Sequence, residues 1–252
     1  DRLHEKDFCT AAGARTAPYM AVDNAADGEA AAARLGLPLV LKTRRMGYDG
    51  KGQILVKTAE ELAPAVERLG GRDLIAEGFV RFEREISVVL ARGQDGAIAA
   101  YPAVENRHRN HILDETIAPA EIAPELAERA VETAGRIAGK LDYVGVIGVE
   151  MFVTDDDILI NELAPRVHNS GHWTIDACVA SQFEQHVRAI CGLPLARPEM
   201  HSRAVMKNLL GDEIERWREL LPEPLLCFHD YGKREARPGR KMGHVTRLIP
   251  LK

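Results

Sequence analysis

The run Tyr143 to Val153, YVGVIGVEMFV, is so apolar that it fits a central strand buried on both faces. The turn Thr154 to Asp157 sends the chain back into a second apolar strand, Ile158 to Glu162. Each arm holds one acid in otherwise apolar sequence, Glu150 in VGVIGVEMFV and Glu162 in ILINELAP. The turn has Asp156 at its midpoint. An odd-length loop through Asp155, Asp156 and Asp157 sets the two glutamates opposite each other, and their shared parity puts them on one sheet face if both strands are regular.

Like charges directly opposite across a hairpin destabilise it, and an unpaired charge in apolar surroundings is costly. A cation resolves the conflict. Hard oxygens from two carboxylates, with coordination room left over, suit magnesium shared with a nucleotide phosphate better than a closed protein cage. The alternative is a pair of exposed edge-strand glutamates. The turn aspartates read as solvated turn residues.

A second constraint is the loop RMGYDGKGQ, Arg45 to Gln53, set between the strand-like runs LPLVLKT and ILVK. Glycines let backbone N–H groups approach an anion, and cationic side chains neutralise it. A P-loop would run from a strand into a helix. Here strands flank both sides, so the expectation is a hairpin, Leu37 to Val56, whose tip is either a phosphate flap or an ordinary glycine-rich turn.

The remaining pattern is mixed α and β. Helices are expected at the first residues up to Gly13, at Ala25 to Leu35, at Ala59 to Leu69 with Thr58 and Glu61 forming a capping box, at Pro124 to Leu141 and at Asp176 to Ile190. Strands are expected at Pro18 to Val22, Leu74 to Val80, Arg84 to Arg92 and on to Tyr101. From Arg197 onward, short strands broken by prolines suggest a small second module.

Among 252 residues, 46% are hydrophobic and 28% charged, enough for a sizeable core, and the formal charge of -5 offers no global field for nucleic acid. No run approaches the roughly 18 apolar residues of a membrane span, so a cytoplasmic protein without membrane partners is expected. Cys9, Cys178, Cys191 and Cys227 lack any CxxC spacing and read as reduced thiols.

In order along the chain stand Lys42 on an apolar strand, the glycine-rich flap, the acids Glu77 and Glu85, and the carboxylate hairpin. This set resembles the ATP-grasp family. The resemblance implies an α+β, ATP-grasp fold of two α+β subdomains, followed by a small mostly-β C-terminal domain. The expected division is a linking helix at 1–17, a small subdomain with the flap at 18–80, a large subdomain with the metal site at 81–196 and a β domain at 197–252. It further implies that Lys42 contacts nucleotide phosphates and that Gly47, Tyr48, Asp49, Gly50, Lys51, Gly52 and Gln53 close over them. Glu77, Phe79 and Val80 would belong to the adenine hinge, Glu85 would hold the ribose, and Glu150 and Glu162 would be the magnesium ligands.

Two longer stretches, NELAPRVHNSGHWT (Asn161 to Thr174) and YGKREARPGRKMGH (Tyr231 to His244), together with ENRHRNHILDET (Glu105 to Thr116), are similar to signatures of the 5-(carboxyamino)imidazole ribonucleotide synthetases within that family. That similarity implies ATP, bicarbonate and 5-aminoimidazole ribonucleotide as substrates, carboxyphosphate as intermediate and a homodimer. Arg166 and His168 follow Glu162 in a chain made irregular by Pro165, where a guanidinium fork and an imidazole can face a small anion. Asn169 would line the same pocket. Lys233, Arg240 and Lys241 crowd a glycine- and proline-rich turn and would hold the ribonucleotide phosphate.

His108 and His111 read as loop residues, and His172 and Trp173 as packing beneath the site. Ala164 stands where many ATP-grasp chains carry an asparagine ligand, which leaves the number of metal ions open. The family has an N-terminal domain of nucleotide-binding type ahead of the DRLHEKDF helix, and this sequence lacks it, so a fragment or a trimmed chain is expected. Two further readings are another ATP-grasp ligase, using formate or biotin, and a nucleotide-binding module without turnover.

Overall fold

The computed structural model describes residues 1–47, 50–155 and 157–251. Asp1 caps the first helix, α1 (Arg2–Ala11), its carboxylate accepting from the N–H of Leu3 at 3.1 Å. Gly13, at φ +74°, turns the chain away. There follow β1 (Tyr19–Val22), α2 (Ala25–Leu35), β2 (Leu39–Thr43), β3 (Gln53–Val56), α3 (Leu62–Arg68) and β4 (Leu74–Gly78). Asn24 caps α2 by accepting from the N–H of Asp27 at 3.0 Å.

Two expectations shift here. The segment Ala59–Glu61 is a 3-10 turn ahead of α3, and Thr58 makes no side-chain cap. Glu61 instead accepts from the N–H of Lys57 at 2.7 Å, because the tighter turn brings its carboxylate back past Thr58. The strand expected to reach Val80 ends at Gly78, whose N–H donates to the carbonyl of Pro18 at 2.8 Å; proline has no N–H to return the bond, so the pairing with β1 stops there.

The next elements are β5 (Arg84–Arg92), β6 (Ile98–Ala100), β7 (Val104–Arg109), β8 (Ile112–Ala118), α4 (Pro124–Lys140), β9 (Gly145–Thr154) and β10 (Asp157–Ala164). They are followed by α5 (Thr174–Ala177), α6 (Gln182–Ile190), β11 (Ser202–Leu210), α7 (Trp217–Leu220), β12 (Leu226–Asp230) and β13 (Lys241–Pro250). The helix expected over 176–190 is two pieces. Between them Val179 donates to the carbonyl of Glu199 at 2.9 Å and holds the chain extended, and Ser181 then caps α6.

The chain divides into two compact units, Asp1–Glu83 with Phe152–Glu162, and Arg84–Met151 with Leu163 onward. In the first, β1-β4-β2-β3 form an antiparallel sheet. Strand alternation points Leu39, Leu41, Leu74 and Ala76 at α2 and α3, where they pack with Ala31, Leu62 and Val66. The same alternation leaves Lys42 and Glu77 together on the opposite face.

In the second unit the strand order is β9-β5-β7-β8-β11-β13-β12, with β6 on β5. The five residues Gly145–Val149 are buried in succession, as the apolar run required. The residues from 197 onward are mostly β, as expected, and carry β11, β12 and β13. Their strand β11 pairs with β8, Ala204 opposite Ala118 and Lys207 opposite Glu115, so they extend the sheet of the large subdomain. The helix α1 belongs to the first unit.

Gly243 lies where β13 passes β12, and a Cβ there would come 2.3 Å from the carbonyl oxygen of His229 and 2.8 Å from Ile214. Backbone cannot yield cheaply. Gly243→Ala is therefore expected to cost about 1–3 kcal/mol, read as a lowered urea midpoint. An unchanged midpoint would show that β12 is loosely held.

Candidate active site

Lys42 sits on β2 diagonal to Glu77 on β4, whose ladder partner is Val40. The Lys42 Nζ lies 3.0 Å from Glu77 Oε2, and Lys6 of α1 approaches the same oxygen at 3.4 Å. Lys6 is buried, and its Nζ also donates to the carbonyl of Asn161 at 3.5 Å. Burial pushes the Glu77 carboxyl up, but the charges of Lys42 and Lys6 outweigh it and hold the group below its ordinary value. Burial in turn lowers Lys6. Glu77 Oε1 is buried and has no hydrogen-bond partner among the described residues.

Arg2 Nη1 meets Glu162 Oε2 at 2.7 Å, and Arg2 Nη2 reaches the carbonyl of Gly47 at 3.5 Å. The first helix thus carries two cations of this site, which sequence reasoning missed. Their spacing of i, i+4 was the available signal, since it puts both on one helix face.

The flap's base is tied by Thr43, whose N–H donates to the carbonyl of Gly52 at 2.8 Å. Gly52 has φ +73°, and a Cβ on it would meet Thr43 Oγ1 at 2.7 Å, so only glycine fits. Gly50 is also left-handed, at φ +77°, and Gln53 stands opposite Lys42 in the ladder. Tyr48 and Asp49, expected in the flap, and Asp156, expected at the carboxylate turn, lie outside the described residues. Phe79, just past β4, exposes 46% of its surface.

In the second unit Glu150 Oε1 lies 3.0 Å from His168 Nε2. Burial raises the Glu150 carboxyl, and the bond and charge of His168 more than reverse this. His168 Nδ1 is 2.8 Å from Ser170 Oγ, which is 2.7 Å from Ser87 Oγ. Asn106 Nδ2 donates to Ser87 at 2.8 Å, and Thr116 donates to Asn106 Oδ1 at 3.0 Å. A carboxylate accepts, so His168 donates through Nε2 and the hydroxyls run toward its Nδ1. Gly148 makes room for the ring, because a Cβ there would stand 2.9 Å from His168 Cβ and Cγ.

Glu85 is paired with His108, Nδ1 to Oε2 at 2.9 Å, and that bond outweighs burial to raise the His108 pKa. His108 is therefore a strand residue of β7 and not the loop residue expected; His111, at φ +64°, does stand in the β7–β8 turn. Arg166 is exposed, its Nη1 donating to the carbonyl of Val167 at 3.1 Å. Asn169 exchanges amide bonds with Asn208 at 3.0 and 2.7 Å, which makes it a brace rather than an open pocket wall.

Lys233, Arg240 and Lys241 gather on the β12–β13 hairpin. Burial, then the charges of Arg240 and Lys241, push the Lys233 pKa down, the mark of cations crowded together. Lys233 donates to the carbonyl of Lys241 at 2.5 Å, and Arg240 to that of Glu235 at 3.0 Å. Beside them His229 bonds Asp176 at 2.9 Å and stacks on His244, with ring centroids 4.4 Å apart and planes 13° from parallel. Stacked rings cannot both aim in-plane lone pairs at one ion, so this cluster is a hydrogen-bonded brace.

The family model of the ATP-grasp domain matches residues 7–183, which places both sets of residues within an ATP-grasp protein, and that of the phosphoribosylaminoimidazole carboxylase C-terminal domain matches residues 204–250. The N5-carboxyaminoimidazole ribonucleotide synthase of Brucella melitensis is 48% identical over 99% of this chain, and that of Bacillus subtilis 45% identical over 98%. The chain belongs to the N5-carboxyaminoimidazole ribonucleotide synthase family. The crystal structure of the Aspergillus clavatus synthase in complex with ADP and 5-aminoimidazole ribonucleotide shares 32% identity and a TM-score of 0.92, over 99% of this chain. The chain spans about two thirds of the length of these relatives: 70%, 65% and 68% respectively.

Proposed function

We propose that the chain carboxylates 5-aminoimidazole ribonucleotide with bicarbonate at the expense of ATP. The observation that carries this reading is the buried Glu150–His168 contact at 3.0 Å, which puts an acid of the apolar strand directly on the imidazole of the NELAPRVHNSGHWT turn. The nucleotide and ribonucleotide bound to the Aspergillus clavatus relative support it.

Bicarbonate is a poor electrophile until one oxygen becomes a leaving group. Its oxygen attacks the γ-phosphorus of ATP, the bond to the β-phosphate oxygen breaks, and ADP and carboxyphosphate form. Lys42, Arg2 and the flap amides stabilise the charge in flight. Arg166 orients the small anion through its planar fork, and His168 holds or moves a proton at its ring nitrogens. The amine of the ribonucleotide then bonds to the carboxyl carbon, and phosphate leaves. Lys233, Arg240 and Lys241 hold the 5'-phosphate, and Glu85 with His108 meets the nucleotide ribose.

Glu150 and Glu162 are the hard-oxygen donors that would hold magnesium; His168 and Arg2 engage one oxygen of each. The ion, when bound, neutralises phosphate charge. We read the setting as a cytoplasmic homodimer, which light scattering tests directly; no described helix is long and apolar enough to cross a membrane.

The test is ADP formation with magnesium and bicarbonate, with and without ribonucleotide. Glu162→Gln is expected to cut turnover by about 10²-fold or more, and Arg240→Ala to raise the KM for the ribonucleotide while the KM for ATP holds. Unaltered kinetics in both variants would overturn the reading, as would turnover that needs formate or biotin instead.

A further inference from the structure

Gln182, the first residue of α6, is fully buried. Its Oε1 accepts from the backbone N–H of His168 at 2.8 Å, and its Nε2 donates to the backbone carbonyl of the same residue at 2.6 Å. An N–H can only donate and a carbonyl can only accept, so the carboxamide has one orientation. Its Nε2 also lies 2.9 Å from His172 Nδ1. An amide nitrogen does not accept, so His172 Nδ1 must present its lone pair and the ring proton must sit on Nε2.

The surroundings are built for this contact. A Cβ on Gly171 would come 2.8 Å from Gln182 Cδ, so glycine there is what lets the amide in. The backbone N–H of Gln182 donates to Thr174 Oγ1 at 3.0 Å, and Thr174 donates to the carbonyl of Gly171 at 2.6 Å, which closes the turn around it. His172 in turn lies against Tyr231, edge-on at 6.0 Å, and His244 at 5.3 Å. One side chain therefore joins the turn that carries His168 to the hairpin that carries Lys233 and Arg240.

We propose that Gln182 is a positioning residue for the carboxylation: it fixes the His168 backbone from both sides and locks His172 as the neutral Nε2–H tautomer, holding the turn and the basic hairpin in one register. Its kinetic part rests on the function proposed above; its structural part does not. Burial, which lowers the His172 pKa to about 4, agrees with a neutral ring.

The experiment has two arms. In the first, nitrogen-15 correlation spectra of the unmodified protein near neutral pH read the His172 tautomer. A proton on Nε2 supports the proposal, and one on Nδ1, donating to the His168 carbonyl instead, overturns it whether or not the chain turns over substrate. In the second, Gln182→Glu keeps an acceptor for the His168 N–H but removes both donors. It is expected to move the His172 proton to Nδ1 and to lower kcat by about 10²-fold with the KM for ATP unchanged. An unmoved proton or an unaltered kcat overturns the proposal, and absence of turnover in the unmodified protein sinks the functional reading alone.

Discussion

Lys42→Met is expected to reduce ADP formation by about 10²–10³-fold, the loss typical of removing one preorganised charge that meets the transferring phosphoryl group. The same change also disturbs the fold, and the two effects can be separated. Removing one partner of a buried ion pair costs roughly 3–5 kcal/mol when the other charge is left alone. Glu77 is not left alone, because Lys6 stays 3.4 Å from the same carboxylate oxygen. The stability loss should therefore fall below that range.

Adding Glu77→Gln to Lys42→Met leaves the buried Lys6 ammonium beside a neutral amide, so the double variant should lose further stability and recover none of the lost turnover. Chemical denaturation alongside ADP release checks both halves. Turnover within about threefold of the unmodified protein in Lys42→Met would remove this lysine from the chemistry.

The largest stability effect is expected from acid. Burial and the neighbouring imidazoles hold His244 down to about 3, and burial with the charges of His168 and Lys241 holds His172 down to about 4. Both lie below the ordinary value of about 6.5 that the unfolded chain keeps. As the pH falls below about 6.5, the unfolded state takes up protons first. The stability these rings contribute is complete above that pH and drains away down to about 3, by up to ~1.4 kcal/mol per unit for each histidine.

At pH 4.5 the two together remove on the order of 5 kcal/mol, comparable with the whole stability of many domains. Glu77 and Glu150, both held low, protonate further down and add their loss only in stronger acid. Urea midpoints at pH 7 and pH 5 measure the slope, and His244→Phe should roughly halve it. A midpoint that does not move between those values would mean the rings protonate inside the fold.

Sequence reasoning reached the parts of the fold that have a period or an unbroken apolar run. The helices Ala25–Leu35 and Pro124–Lys140, the β2–β3 hairpin around the flap and the buried strand of Glu150 all carry such signals. What it missed depends on partners far away in the chain. The i, i+4 spacing of Arg2 and Lys6 puts them on one helix face but does not fix that Lys6 is buried, since that depends on Glu77 and Asn161 arriving beside it. The break before α6 is set by a hydrogen bond to Glu199, not by any helix breaker among its own residues. The hydroxyl relay from Thr116 to His168 unites three strands and a turn, and Ser and Thr in strands look the same whether or not they are wired together.

The pairing of β11 with β8 governs how this polypeptide can be divided. The two matched family regions stop at residue 183 and resume at residue 204, which invites a cut between them. A fragment ending there would strip β8 of its neighbour and bare a row of unpaired amides and carbonyls, a surface that recruits other chains. Expression trimmed at that junction should yield aggregates or swapped oligomers, and a split-protein design would need its breakpoint at an exposed turn tip such as Gln94 and Asp95 instead.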